Sequence, residues 1–141
     1  MDDHELEKKL SIIFALEANT RINAVATGLI NLQGKLDNSS RQVIIETAFR
    51  DIHSLKGAAQ VVKRKDVIAL TQPLEGLLDL LRSKRLMLTG DILDLLCKAV
   101  HGLEQLLSVD TQLPSSDQEV SVEQVIHMLH DVLKVRPDGN S

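Results

Sequence analysis

Aromatic residues are almost absent from this chain of 141 residues: Trp and Tyr do not occur, and only two Phe are present. A core without aromatics must be built from aliphatic side chains, which favours helices packed on helices over a β-sandwich. The scarcity of aromatics also removes the stacking platforms with which proteins bind single-stranded nucleic acids. The formal net charge is −4, and no basic run is longer than Lys63-Arg64-Lys65. We therefore expect no nucleic-acid partner.

Cysteine is nearly absent too, since Cys97 is the only one and cannot form an intrachain disulfide. No apolar run reaches the ~18 residues that a membrane span requires. The first residues, MDDHELEKKL, lack the features of a signal peptide. These absences predict a cytoplasmic protein in a reducing compartment, with no membrane partner.

A helical period of apolar residues runs through most of the chain. The pattern predicts five helices. The first spans about 4–34, the second runs from a cap at Ser39 or Ser40 to about Lys63, and the third spans about 66–84. The fourth runs from a cap at Thr89 through Leu106, and the fifth runs from Ser121 through Val132. Short connections make consecutive helices antiparallel, so we predict an all-α fold, an up-down-up-down four-helix bundle with a fifth C-terminal helix on its outside or end. The segment 108–120 is predicted to be a loop. The domain is expected to occupy 1–135, followed at 136–141 by a disordered tail or a boundary cut from a longer protein.

Pro73 disturbs the pattern of the third helix, because proline lacks the N–H that a helix interior needs and clashes with the carbonyl four residues earlier. Either the helix kinks near Ala69, or a short turn precedes a helix that begins at Pro73. The apolar stripe continues through Val67 and Leu70, which favours the kink.

The stretch IHSLKGAA, residues 52–59, carries polar residues on one face of the second helix. His53, Lys56 and Gly57 are spaced so that they share a face, and Leu55 belongs to the apolar stripe. A Gly inside a helix costs roughly 1 kcal/mol relative to Ala. This face therefore serves something other than packing.

The turn between the second and third helices predicts a partner for His53. If the turn is centred on Arg64, His53 and Glu75 are both eleven residues from it and lie at the same height, with Gln72 bordering the same patch. A carboxylate that accepts from Nδ1–H leaves Nε2 as a nucleophile facing solvent. Lys56 can then neutralise an anion at Nε2, and Gly57 leaves room for a large partner. The arrangement predicts an imidazole that accepts a phosphoryl group and passes it on.

The segments HSLKGAA and LTQPLEGLLDLLRS resemble the histidine-containing phosphotransfer domain, most of all that of the chemotaxis kinase CheA and its hybrid relatives. The resemblance implies phosphorylation of His53 on Nε2 and matches Lys56, Gly57 and Glu75 to the family's site. Many chemotaxis members have a second His where this chain has Gln72, which can form a hydrogen bond but cannot share a proton.

The resemblance also implies the partners. The donor is the catalytic domain of a histidine kinase, which holds ATP, and the acceptor is an aspartate in a response-regulator receiver domain, which holds Mg²⁺. This chain itself would carry no cofactor. It has neither the room nor the glycine-rich motifs of an ATP-binding domain, so it should not phosphorylate itself, and it is expected to be the N-terminal part of a CheA-like kinase.

Three alternatives stay open at this point. A kinase dimerisation bundle also carries a phosphorylatable His, but there an acidic residue follows it, whereas here the next residue is Ser54. A non-catalytic helical adaptor would need an apolar stripe left exposed, and none is evident beyond the fifth helix, so we expect a monomer. His127 and His130, with His101 nearby, could bind a metal, but without further convergent ligands they are expected to be solvated side chains.

Overall fold

A computed structural model describes residues 2–108 and 121–134. The predicted loop at 108–120, apart from Ser108, and the predicted tail at 136–141 lie outside the described residues. The described part of the chain holds five helices and no strand: α1 (Asp3–Leu32), α2 (Asn38–Val61), α3 (Lys65–Arg82), α4 (Gly90–Leu107) and α5 (Val122–Lys134).

Helices α1 to α4 form the predicted antiparallel bundle. Helix α1 packs against α2 and α4, while α3 packs against α2 and α4, so the four helices enclose one core. Helix α5 lies outside this bundle against α3 and α4. Among the described helices, none combines the length and the hydropathy that crossing a membrane requires.

Side-chain caps explain where two of the helices begin. Helix α2 is capped by Asp37, whose carboxylate accepts a hydrogen bond from the backbone N–H of Ser40 at 2.7 Å. The predicted cap at Ser39 or Ser40 is therefore wrong, because both residues already lie within the first turn of α2. Thr89 caps α4 as predicted and accepts from the N–H of Ile92 at 3.2 Å. These caps satisfy backbone donors that the first helical turn leaves without partners.

The turn between α2 and α3 is tightly held, and it sets the register of these two helices. Lys63 adopts a left-handed conformation with φ of 59°, and the N–H of Arg64 donates to the carbonyl of Ala59 at 2.9 Å. The Arg64 guanidinium pairs with Asp66 at 2.9 Å and also donates to the carbonyl of Leu106 at 2.8 Å. The turn is thus anchored to the end of α4.

Helix α3 runs without interruption from Lys65 to Arg82, with Pro73 buried inside it. The alternative in which a turn precedes a helix beginning at Pro73 is therefore wrong. The hydroxyl of Thr71 donates to the carbonyl of Val67 at 2.9 Å, which satisfies the one polar side chain that is buried among the described residues.

The core is aliphatic apart from Phe14, in line with the composition, and its central side chains are fully buried. The helical period predicts inward stripes on α1 and α3, and all of these residues are buried: Phe14, Ile22, Val25, Leu29 and Leu32 on α1, and Val67, Leu70, Leu74, Leu77, Leu78 and Leu81 on α3. In α2 the helical period places Ile44 inward, but Ile44 is only partly buried and its neighbour Ile45 is buried instead. The buried hydrophobic residues that the predicted stripes omitted are Ala18, Ile45, Val100 and Leu107.

The first turns of α1 leave an apolar surface that the sequence reasoning did not anticipate. Phe14 is the first buried residue of α1. The large apolar side chains exposed on α1 before residue 17 are Leu6, Leu10, Ile12, Ile13 and Leu16. The expectation that the bundle leaves no apolar stripe exposed is wrong, and with it the reason given for expecting a monomer.

Candidate functional site

His53 lies in the middle of α2 on the face that points away from the core. Its neighbours Ile52 and Leu55 are completely buried, whereas 63% of the His53 side chain is exposed. The helix therefore holds the imidazole on a rigid element while leaving it accessible to another macromolecule.

Glu75 of α3 contacts His53, as predicted from their equal distances from the turn between α2 and α3. Its Oε1 lies 2.7 Å from Nδ1 of His53, within hydrogen-bonding distance. Because a carboxylate can only accept, this contact places the proton on Nδ1. The neutral imidazole then keeps its lone pair on Nε2, the nitrogen that attacks an electrophile.

Lys56 shares the same carboxylate. Its Nζ lies 2.6 Å from Oε2 of Glu75, in an ion pair that lacks the angular geometry of a regular hydrogen bond. The side chains of Glu75 and Lys56 are 15% and 22% exposed, so solvent screens this pair only in part. Burial alone would raise the pKa of Glu75, but the contacts with Lys56 and His53 outweigh it and lower the pKa below its ordinary value.

The ion pair adds something that the sequence reasoning missed about Lys56. The sequence predicts that Lys56 neutralises an anion at Nε2 of His53, and in this structure its ammonium also lies against the Glu75 carboxylate. The signal was available in the sequence, since Lys56 lies one turn after His53 and the same carboxylate can reach both side chains.

Gly57 and Gln72 border the site in different ways. Apart from the adjoining residues and backbone of its own helix, a Cβ built on Gly57 would have no described atom within 4 Å, so the packing of the described helices does not require Gly here. Gln72 is exposed, and the structure shows no hydrogen bond between it and His53 or Glu75.

Phe49, one turn before His53 on α2, contacts the imidazole, and Arg82 at the end of α3 contacts Phe49. The ring of Phe49 stacks on the imidazole, with centroids 6.2 Å apart and planes inclined by 17°. The guanidinium carbon of Arg82 lies 4.0 Å from the centroid of Phe49. The helical period of apolar residues predicts Phe49 on the inward stripe of α2, although its position four residues before His53 also places it close to the imidazole.

The remaining candidate residues do not form a second site among the described residues. No group of three or more His, Cys, Asp or Glu residues there could hold a metal ion, and His127 and His130 are exposed on α5. Cys97 is half-buried, and burial raises the pKa of its thiol even though Gln33 donates to Sγ at 3.8 Å.

Comparison with known proteins shows which family has this sequence and site. The sequence profile of the Hpt domain family matches residues 9–106, which include His53 and Glu75. The chain belongs to the Hpt domain family. The match spans well over half of the chain, so the resemblance seen in the two short segments is confirmed.

The curated relatives of this Hpt domain are chemotaxis proteins. It is 31% identical over 94 residues to the chemotaxis protein CheA of Cereibacter sphaeroides, covering 67% of this chain and 14% of that protein. Against CheA of Borreliella burgdorferi it is 24% identical over 144 residues, covering 99% of this chain and 16% of the relative. This Hpt domain therefore corresponds to a small part of these longer proteins.

A solved structure has the same fold as this Hpt domain. The phosphorylated P1 domain of CheA3 from R. sphaeroides, crystallised in complex with CheY6, superposes with a TM-score of 0.74 and 20% sequence identity. The superposition covers 89% of this chain and 96% of the P1 domain. At this identity the likeness shows the fold, which confirms the all-α bundle.

Proposed function

We propose that this Hpt domain is a phosphocarrier of a chemotaxis-type two-component system, with His53 as the residue that is phosphorylated. The observation that carries the proposal is an imidazole that is 63% exposed and whose Nδ1 contacts the Glu75 carboxylate at 2.7 Å. Such an imidazole presents a free Nε2 to solvent in one orientation.

In the first step Nε2 of His53 attacks the γ-phosphorus of ATP held by the catalytic domain of a histidine kinase. The N–P bond forms as the P–O bond to ADP breaks, and ADP leaves. The proton on Nδ1 stays in its hydrogen bond to Glu75, whose negative charge stabilises the positive charge that develops on the ring. Lys56, one turn along α2, offsets the charge of the phosphoryl group at Nε2.

In the second step a carboxylate oxygen of an aspartate in a receiver domain attacks the same phosphorus. The N–P bond breaks, and its electron pair returns to Nε2, which restores the neutral ring. Mg²⁺ in the receiver domain supports this step, and ATP is needed only by the donor. The open space at Gly57 lets the receiver approach the imidazole closely.

Labelling by a kinase tests the proposal directly. The chain is incubated with [γ-³²P]ATP and a CheA catalytic domain, and the labelled protein is then treated with acid, which hydrolyses phosphohistidine. We expect acid-labile label on the wild type and none on His53→Gln. The matched control is His130→Gln, which removes another exposed helical histidine and should leave the labelling unchanged. Acid-labile label that persists on His53→Gln would contradict the assignment.

The adaptor alternative has one observation in its favour, namely the exposed apolar side chains on the first turns of α1. An adaptor would bind another helix there and would not need His53. Sedimentation of the chain alone and of Leu6→Glu, which charges this surface, separates the two functions. Association lost in Leu6→Glu, in a chain that no kinase labels, would support the adaptor.

A further inference from the structure

We propose that Phe49 and Arg82 are positioning residues for His53: Phe49 restrains the imidazole by stacking, and Arg82 holds Phe49 in place. This inference rests on the proposed function of His53 and adds two residues to its site. It follows from a series of contacts from the end of α3 to the imidazole.

A single hydrogen bond does not fix the orientation of an imidazole. The contact between Nδ1 and Glu75 holds one edge of the ring, but the ring can still rotate about the line through that contact. The ring of Phe49 is offset-stacked on the imidazole, with centroids 6.2 Å apart and planes inclined by 17°, and it opposes this rotation because tilting the imidazole would disturb the near-parallel arrangement. Together, Glu75 and Phe49 restrain both the direction and the plane of the ring, and so the direction of Nε2.

Phe49 is itself held by a cation. The guanidinium carbon of Arg82 lies 4.0 Å from its ring centroid, within the range of a cation–π interaction. Arg82 in turn pairs with Asp79 at 2.8 Å and lies 3.8 Å from Glu46 of α2. Several contacts therefore keep the guanidinium over Phe49.

The backbone of Arg82 is tied to α2 as well. The side-chain amide of Gln42 donates to the carbonyl of Arg82 at 2.9 Å. This hydrogen bond joins the last turn of α3 to the first half of α2 and so helps to hold Arg82 beside Phe49, through which it reaches the imidazole.

The test measures the tautomer of His53 together with its phosphorylation. Phe49→Leu keeps an apolar side chain but removes the ring, whereas Phe49→Tyr keeps the ring. Arg82→Gln removes the cation. The matched control is Arg50→Gln, which removes a cation from the exposed face of α2, three residues from His53. Ring ¹⁵N chemical shifts give the share of the Nδ1–H form, and labelling by the kinase gives the rate.

We expect Phe49→Leu to reduce the share of the Nδ1–H form and to slow phosphorylation roughly three- to tenfold, the size of losing one aromatic pair. Phe49→Tyr should restore both values, Arg82→Gln should shift them in the same direction by a smaller amount, and Arg50→Gln should change neither. Circular dichroism checks that each variant is folded, and if Phe49→Leu does not fold, Arg82→Gln decides.

Two results would overturn the inference. One is a wild-type tautomer and rate in Phe49→Leu and Arg82→Gln. The other is an equal effect of Arg50→Gln and Arg82→Gln, which would assign the effect to charge alone. Failure of the wild type to be labelled at His53 would instead contradict the proposed function, so the two failures are distinguishable.

Discussion

Replacing Glu75 with Gln should lower the free energy of unfolding by about 1 kcal/mol at neutral pH. Gln keeps the shape of the side chain and can still accept from Nδ1 of His53, so the main loss is the charge facing Lys56. Fully exposed ion pairs contribute roughly 0–1 kcal/mol. The pair of Glu75 and Lys56 is only 15% and 22% exposed, which weakens screening, but the cost of desolvating both groups offsets part of that gain. For a domain of this size the expected fall in melting temperature is about 3 °C.

The pH dependence of the stability lost in Glu75→Gln shows whether the loss comes from the charge of Glu75 or from its packing. The pKa of Glu75 is lowered from its reference value of 4.5, mainly because its contacts with Lys56 and His53 outweigh the effect of burial. A group whose pKa is lower in the folded state contributes stability above its unfolded pKa, and that stability is lost as the pH falls through the folded pKa. The wild type should therefore be more stable than Glu75→Gln at neutral pH, and the difference should close as the pH falls below 4.5.

Urea unfolding curves of both proteins over a series of pH values measure this difference. The matched control is Glu104→Gln, because Glu104 is exposed on α4 and forms no ion pair within the described residues. That variant should show no comparable difference. If the gap between wild type and Glu75→Gln stays constant well below pH 4.5, the loss comes from packing, and the electrostatic reasoning fails.

Two other variants test single features of the bundle. Gly57→Leu should slow transfer from phosphorylated His53 to a receiver domain while leaving the fold intact, because the new side chain enters open space on the approach to Nε2. Gly57→Ala is the control with a smaller side chain. Transfer from Gly57→Leu at the wild-type rate would refute the proposal that Gly57 gives the receiver access to His53. Lys84→Gly should raise the free energy of unfolding by up to about 1 kcal/mol, since relief of a left-handed conformation exceeds the added entropy of the unfolded chain. Lys84 has a φ of 62°, and a lower urea midpoint for the variant would show that its side chain contributes more than its backbone costs.

The sequence by itself determined the helices, the outward position of His53 and its pairing with Glu75. A helical period shows which residues share a face, because the rotation per residue is constant along the chain. The pairing of His53 with Glu75 could also be inferred, since a short turn between two antiparallel helices sets residues at equal distances from it at the same height. Those inferences need only local geometry and one turn.

The tertiary structure alone decided what surrounds that pair. Whether Arg82 reaches Phe49 depends on how far α2 and α3 are rotated about their own axes, and a period in the sequence does not give that rotation. The exposed apolar stripe of α1 depends on relative helix lengths: α1 has 30 residues, whereas its neighbours α2 and α4 have 24 and 18. At about 1.5 Å per residue, α1 is about 18 Å longer than α4, so α4 does not cover the whole of α1, and the residues of α1 before Phe14 are all exposed.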